Sequence, residues 1–133
     1  MLPDFKFHHI GIAVWDIEET ALYYVDAGYM KAETVIDEIQ NVKICFLTKE
    51  NMPMLELLAP VDENSPVNRI LNKMGVSPYH CCYLVDDMED AVCRLKKKKF
   101  VPLIKPVEAC AIDGKRVCFL FSKTVGLIEL VES

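Results

Sequence analysis

The chain repeats itself. His9-Ile10-Gly11-Ile12-Ala13-Val14-Trp15-Asp16-Ile17-Glu18 falls on His80-Cys81-Cys82-Tyr83-Leu84-Val85-Asp86-Asp87-Met88-Glu89 at an offset of 71 residues. Further on, Cys45-Phe46-Leu47 falls on Cys118-Phe119-Leu120, and Leu55-Glu56-Leu57-Leu58 on Ile128-Glu129-Leu130-Val131, both at an offset of 73. Two residues have therefore entered the second copy between its first and its later matches. A repeat of this period limits the fold to two copies of one supersecondary unit. The 133 residues suit a single domain with a core of its own, residues 1–133, with copy one at about 5–60, a linker at about 60–78 and copy two at about 79–133.

Each copy reads strand, helix, then strands, an α+β pattern. Residues 7–14 and 79–85 are β-rich, and each run leads to Asp16 or Asp87, a helix N-cap with Glu19 or Asp90 three residues later. Ile17, Ala21, Leu22 and Val25 in the first helix, and Met88, Val92 and Leu95 in the second, recur at helical spacing and predict the face that packs on the sheet. Later strands are expected at about 29–36, 42–48 and 54–59, then 101–105, 116–121 and 126–132, broken by Asn51, Pro53, Asp113-Gly114 and Gly126. The linker, Pro60 to Pro78, holds a short helix from Val67 to Met74 that ends at Gly75.

Four polar residues stand at matched places. Side chains alternate along a strand, so His9 shares a face with Gly11 and Ala13 while Ile10, Ile12 and Val14 point under the helix. By the same alternation His80 goes with Cys82 and Leu84, and His8 faces away from His9. Glu56 and Glu129 interrupt otherwise apolar strands, where a carboxylate is costly unless it is paired or bound to a cation. Taken singly, a strand histidine is an ordinary hydrogen-bonded core residue and a strand glutamate an ordinary edge residue. Taken together, His9, Glu56, His80 and Glu129 are two His–Glu sets in a pseudo-twofold arrangement that would converge on one point. Mixed imidazole and carboxylate donors suit one divalent ion of the first row: Ni, Co, Zn or Mn.

Composition bounds the remaining classes. A net charge of −5 and a pI near 5.2 give no basic field to hold a nucleic acid. No apolar run reaches the roughly 20 residues of a membrane span, and the start, Met1-Leu2-Pro3-Asp4, lacks the form of a secretory signal, so the expected compartment is the cytoplasm. Six cysteines without a CxxC spacing are expected to be reduced and mostly buried. Lys96 to Lys99 read as a solvated helix end, Lys115 and Arg116 as a charged hairpin tip, and Trp15, Tyr23 and Tyr24 as core or dimer contacts.

Phe7-His8-His9-Ile10-Gly11-Ile12-Ala13-Val14, Met54-Leu55-Glu56-Leu57-Leu58-Ala59-Pro60, Tyr79-His80 to Asp87 and Leu127-Ile128-Glu129-Leu130 carry a family resemblance. The chain resembles the vicinal oxygen chelate (glyoxalase) superfamily over its whole length, and within it the methylmalonyl-CoA epimerases, then glyoxalase I (lactoylglutathione lyase). The resemblance implies tandem βαβββ modules forming a cupped mixed sheet, His9, Glu56, His80 and Glu129 as metal ligands, and a homodimer. It also implies proton transfer at a carbon next to a carbonyl, on an acyl-CoA thioester or, alternatively, a thiol adduct of the glyoxalase I kind. A metal-free binding or resistance protein is the further alternative. Of the two carboxylates, Glu129 is assigned as the base, with Glu56 as the second candidate. The position where some epimerases carry another base falls near Ile44, which cannot move a proton.

Overall fold

The computed structural model describes residues 1–133, which divide into two compact units. One is continuous, His9–Tyr79; the other joins Met1–His8 to His80–Ser133. The first copy contains β1 (Lys6–Ala13), α1 (Ile17–Asp26), β2 (Met30–Lys31), β3 (Val35–Asp37), β4 (Val42–Thr48) and β5 (Leu55–Pro60), followed by the linker helix α2 (Val67–Met74). The second contains β6 (Ser77–Val85), α3 (Met88–Lys97), β7 (Val101–Pro102), β8 (Val107–Ala109), β9 (Lys115–Ser122) and β10 (Gly126–Glu132). Strand order is β2-β4-β5-β1 in one and β6-β10-β9-β7 in the other, with β3 on β4 and β8 on β9. In both, the first strand runs parallel to the last and the last runs antiparallel to its predecessor. The tandem modules with mixed pairing are therefore present. No helix is long and apolar enough to cross a membrane.

The helices begin as their caps predict. Asp16 accepts a hydrogen bond from the Glu19 amide and Asp87 from the Asp90 amide, each at 3.0 Å. Both end in the same turn, with the Tyr29 amide donating to Tyr24 and the Phe100 amide to Leu95. The left-handed residue this turn requires is Gly28 in one copy and Lys99 in the other.

Ile12 and Val14 pack with Ile17, Ala21, Cys45, Leu47, Leu55 and Leu57, on the face of β1 opposite His9. In the second unit, Val85, Met88, Leu95, Cys118, Leu120 and Leu130 form the equivalent core, with Val92 packed against it. Part of the expected α1 face is corrected: Leu22 is 64% exposed and Val25 43%. The stripe facing the sheet runs through Ile17, Ala21 and Tyr24, and Leu22 and Val25 fall on the flank beside it.

The strand expected at 29–36 is broken in two, and that expected at 101–105 stops at Pro102, with a further strand, β8, only after a break. At both breaks a buried thiol reaches a carbonyl: Cys45 Sγ donates to Ala32 O at 3.4 Å, and Cys118 Sγ to Ile104 O at 3.3 Å. Burial pushes both thiols above the ordinary cysteine range, so they stay protonated donors. All six cysteines are thiols; Cys45, Cys82 and Cys118 are buried, Cys81 is half-buried, and Cys93 and Cys110 are exposed, so burial is less general than expected. One of the two inserted residues enters where residues 38–41 link β3 to β4 but 110–114 link β8 to β9, the longer link containing a 3-10 turn, Cys110–Ile112.

Candidate metal centre

In the first unit, parallel pairing of β1 with β5 sets Gly11 opposite Glu56, two residues beyond His9. His9 Nε2 lies 3.1 Å from Glu56 Oε1. Antiparallel pairing of β4 with β5 sets Phe46 directly across from Glu56, and its ring stands edge-on to the His9 imidazole, centroids 5.4 Å apart at 79°. The second unit repeats the arrangement. Glu129 pairs with Cys82, two residues beyond His80, and His80 Nε2 lies 3.2 Å from Glu129 Oε1. Phe119 faces Glu129 across β9 and β10, with its ring 5.2 Å from His80 at 89°.

The four polar residues are 0–4% exposed, so neither carboxylate is solvated by bulk water. Removing a carboxylate from water is expensive unless a positive group meets it. An imidazole nitrogen and a carboxylate oxygen are donors that a first-row divalent ion collects. Two adjacent ligands on a six-coordinate ion lie roughly 3 Å apart when each bond is about 2.1 Å, which is the spacing within each pair. In donor chemistry and in spacing, each His–Glu pair fits half of a divalent-metal site.

Two aromatic residues went unassigned in the sequence. Phe46 and Phe119 are half-buried, and each packs on its histidine opposite its glutamate. The signal was the repeated Cys-Phe-Leu triplet, whose middle residue alternation places on the glutamate side. Arg116 belongs elsewhere: its guanidinium binds Glu89 at 2.8 and 2.9 Å and Glu132 at 3.0 Å, which engages it in a local ion-pair network. Lys96 to Lys99 are exposed at the end of α3. Cys82 is buried against Val117 and Val131.

Repeated modules with a buried His–Glu pair in each define a class of protein. Residues 8–119 match the profile of the Glyoxalase/Bleomycin resistance protein/Dioxygenase superfamily, and the chain belongs to that superfamily. Within it, the chain is similar to the mitochondrial methylmalonyl-CoA epimerase of Homo sapiens, 37% identical over 96% of this chain and 74% of that one. It is 33% identical to the ethylmalonyl-CoA/methylmalonyl-CoA epimerase of Cereibacter sphaeroides, over 94% of this chain and 96% of the other. The crystal structure of methylmalonyl-CoA epimerase from Mycobacterium tuberculosis superposes with a TM-score of 0.86 at 26% identity, covering 99% of this chain and 92% of that one.

Proposed function

We propose that this chain is a divalent-metal-dependent epimerase that moves a proton on and off the carbon next to a thioester carbonyl, with methylmalonyl-CoA as its substrate. The observation that carries the reading is the duplicated buried His–Glu pair, in a chain whose relatives include methylmalonyl-CoA epimerases. On this reading His9, Glu56, His80 and Glu129 hold one ion among Ni, Co, Zn and Mn. The chemistry such an ion supplies is Lewis acidity, positive charge beside a carbonyl oxygen on which negative charge develops.

The chain's own groups do the rest. Glu129 takes the α-proton, and a carboxylate in apolar surroundings is a stronger base than one in water. Glu56, its repeat equivalent, is the second carboxylate able to serve. Phe46 and Phe119 steady the imidazoles and limit water around the carboxylates. Ile44, 3% exposed on β4, offers no proton, so the burden falls on the glutamates.

The test is hydrogen exchange in D2O. Metal-loaded protein should place deuterium at C2 of methylmalonyl-CoA and interconvert its two epimers. Absence of exchange with each of the four ions, or turnover confined to the hemithioacetal of methylglyoxal and a thiol, overturns the assignment.

A further inference from the structure

Residues directly opposite one another on paired strands are neighbours, and alternate residues of a strand share a face. In the second unit this puts Leu127, Glu129 and Val131 of β10 on one face with Val117, Phe119 and Phe121 of β9. His80 and Cys82 of β6 belong to the same face, Cys82 opposite Glu129. Followed from Glu129 towards Val131, the face is closed: Cys82, Ala109, Val117 and Val131 are buried together, with Ile112 of the 3-10 turn packed against them. Followed the other way, it is open. Leu127 is half-buried, Phe121 directly across from it is 42% exposed, and Val101, across from Phe121 on β7, is 59% exposed.

The first unit has no such row. Met30 pairs with Thr48 as Val101 pairs with Phe121, so the place of the Phe121 ring is held there by an exposed threonine. The repeat therefore folds without an aromatic residue at this position. Core packing does not call for one either, because Leu120 and Ile128 on the opposite face carry that burial. A contiguous apolar row left open beside a buried carboxylate is built to meet a ligand.

We propose that the row of Leu127, Phe121 and Val101 receives the alkyl group on the reacting carbon, and that the preferred substrates are 2-alkylmalonyl thioesters with chains longer than methyl. Methylmalonyl-CoA is then the smallest member of the class, and the inference rests on the proposed function with Glu129 as base. Leu127 stands two residues from Glu129, roughly 7 Å along the strand, and Phe121 and Val101 follow one and two strands outwards at roughly 5 Å a step. A methyl group on a carbon held at Glu129 ends short of Phe121, and each added methylene carries the chain towards it. Of the groups on that carbon, the carboxylate and the thioester carbonyl are polar and would lose water on this surface without gaining a partner. The alkyl chain gains burial there.

Deuterium entry at C2 from D2O tests this, measured on metal-loaded protein with methyl-, ethyl-, propyl- and butylmalonyl-CoA and corrected for exchange in buffer. For wild type, kcat/KM should rise about fourfold per added methylene as far as propyl. Phe121→Thr installs the residue of the repeat-equivalent place and suits a strand; with the far-ultraviolet circular dichroism unchanged, it should flatten the series. Met30→Thr, at the place equivalent to Val101, should leave the wild-type slope as it is. A wild-type series that is flat or falls from methyl onwards overturns this inference while the epimerase reading stands. A slope that survives Phe121→Thr overturns the assignment of the alkyl group to this row, and absence of exchange with every thioester removes both readings together.

Discussion

Glu129 has two tasks in the proposed chemistry, and substitution can separate them. Glu129→Gln keeps size and a coordinating oxygen but removes the charge and the basicity. Metal content should stay near wild type, because three ligands and an amide oxygen remain, while activity falls about 100-fold to 10,000-fold. Elemental analysis beside single-turnover exchange makes the comparison, and near-normal exchange by a metal-saturated variant would transfer the role of base to Glu56. His80→Ala should show the reverse order, with metal lost first and activity partly restored by excess ion. At this scale the repeat made the His–Glu pairs legible: position set His9 apart from His8 and matched Glu56 to Glu129. The aromatic partners escaped because a phenylalanine in a strand is ordinary until its cross-strand neighbour is known, and register does not follow from one strand's sequence. Tyr23 and Trp15, expected as core or dimer contacts, are 80% and 53% exposed, which rules out the core.

Comparing the repeated elements shows where one copy is less well built. Gly28 and Lys99 close α1 and α3 in left-handed conformations, φ 97° and 68°, and only glycine adopts these without a steric cost. Lys99→Gly should therefore raise stability by about 1 kcal/mol, read as a higher urea midpoint at unchanged slope. The second copy also has a brace that the first lacks. Glu132 accepts the Met88 amide at 2.8 Å and, with Glu89, grips Arg116, which ties β10 and β9 to the start of α3. Hydrogen bonds from Arg116 are the largest cause holding both carboxyls below the ordinary 4.5. A depressed folded value means that the stabilisation is complete above that pH and is lost as pH falls through the depressed value. The stability gap between wild type and Arg116→Gln should accordingly be flat above pH 4.5 and narrow below it. Element types and caps were legible from Asp16, Asp87 and the apolar spacing. The strand breaks were not, because what tolerates them is a thiol reaching a carbonyl fourteen residues or so away in sequence.

At the scale of the molecule, the repeat predicted two modules split near residue 79, and the second unit also takes the first eight residues. Leu2 lies in its core, Asp4 pairs with Arg94 at 2.7 Å and 3.0 Å, and Phe5 sits beneath the same guanidinium and beside Tyr83. Periodicity could not reveal this, because Leu2 and Asp4 precede the first strand and have no repeat counterpart. Deleting residues 1–4 should cost about 2 kcal/mol, mostly the burial of Leu2, since an exposed ion pair adds little. Chemical denaturation of the truncated chain measures the loss.

The order of synthesis gives that arrangement a further meaning. A ribosome delivers residues 1–8 well before the strands they pack with, so this segment emerges without its partners. His9–Tyr79, being continuous, has all of its own strands available by the time residue 79 clears the exit tunnel. The other unit must wait for β10, which follows every other strand described, to receive a segment that left the tunnel long before it. Until then Leu2 and Phe5 remain apolar, exposed and open to chaperones, and nascent-chain arrest is the setting in which that interval is visible.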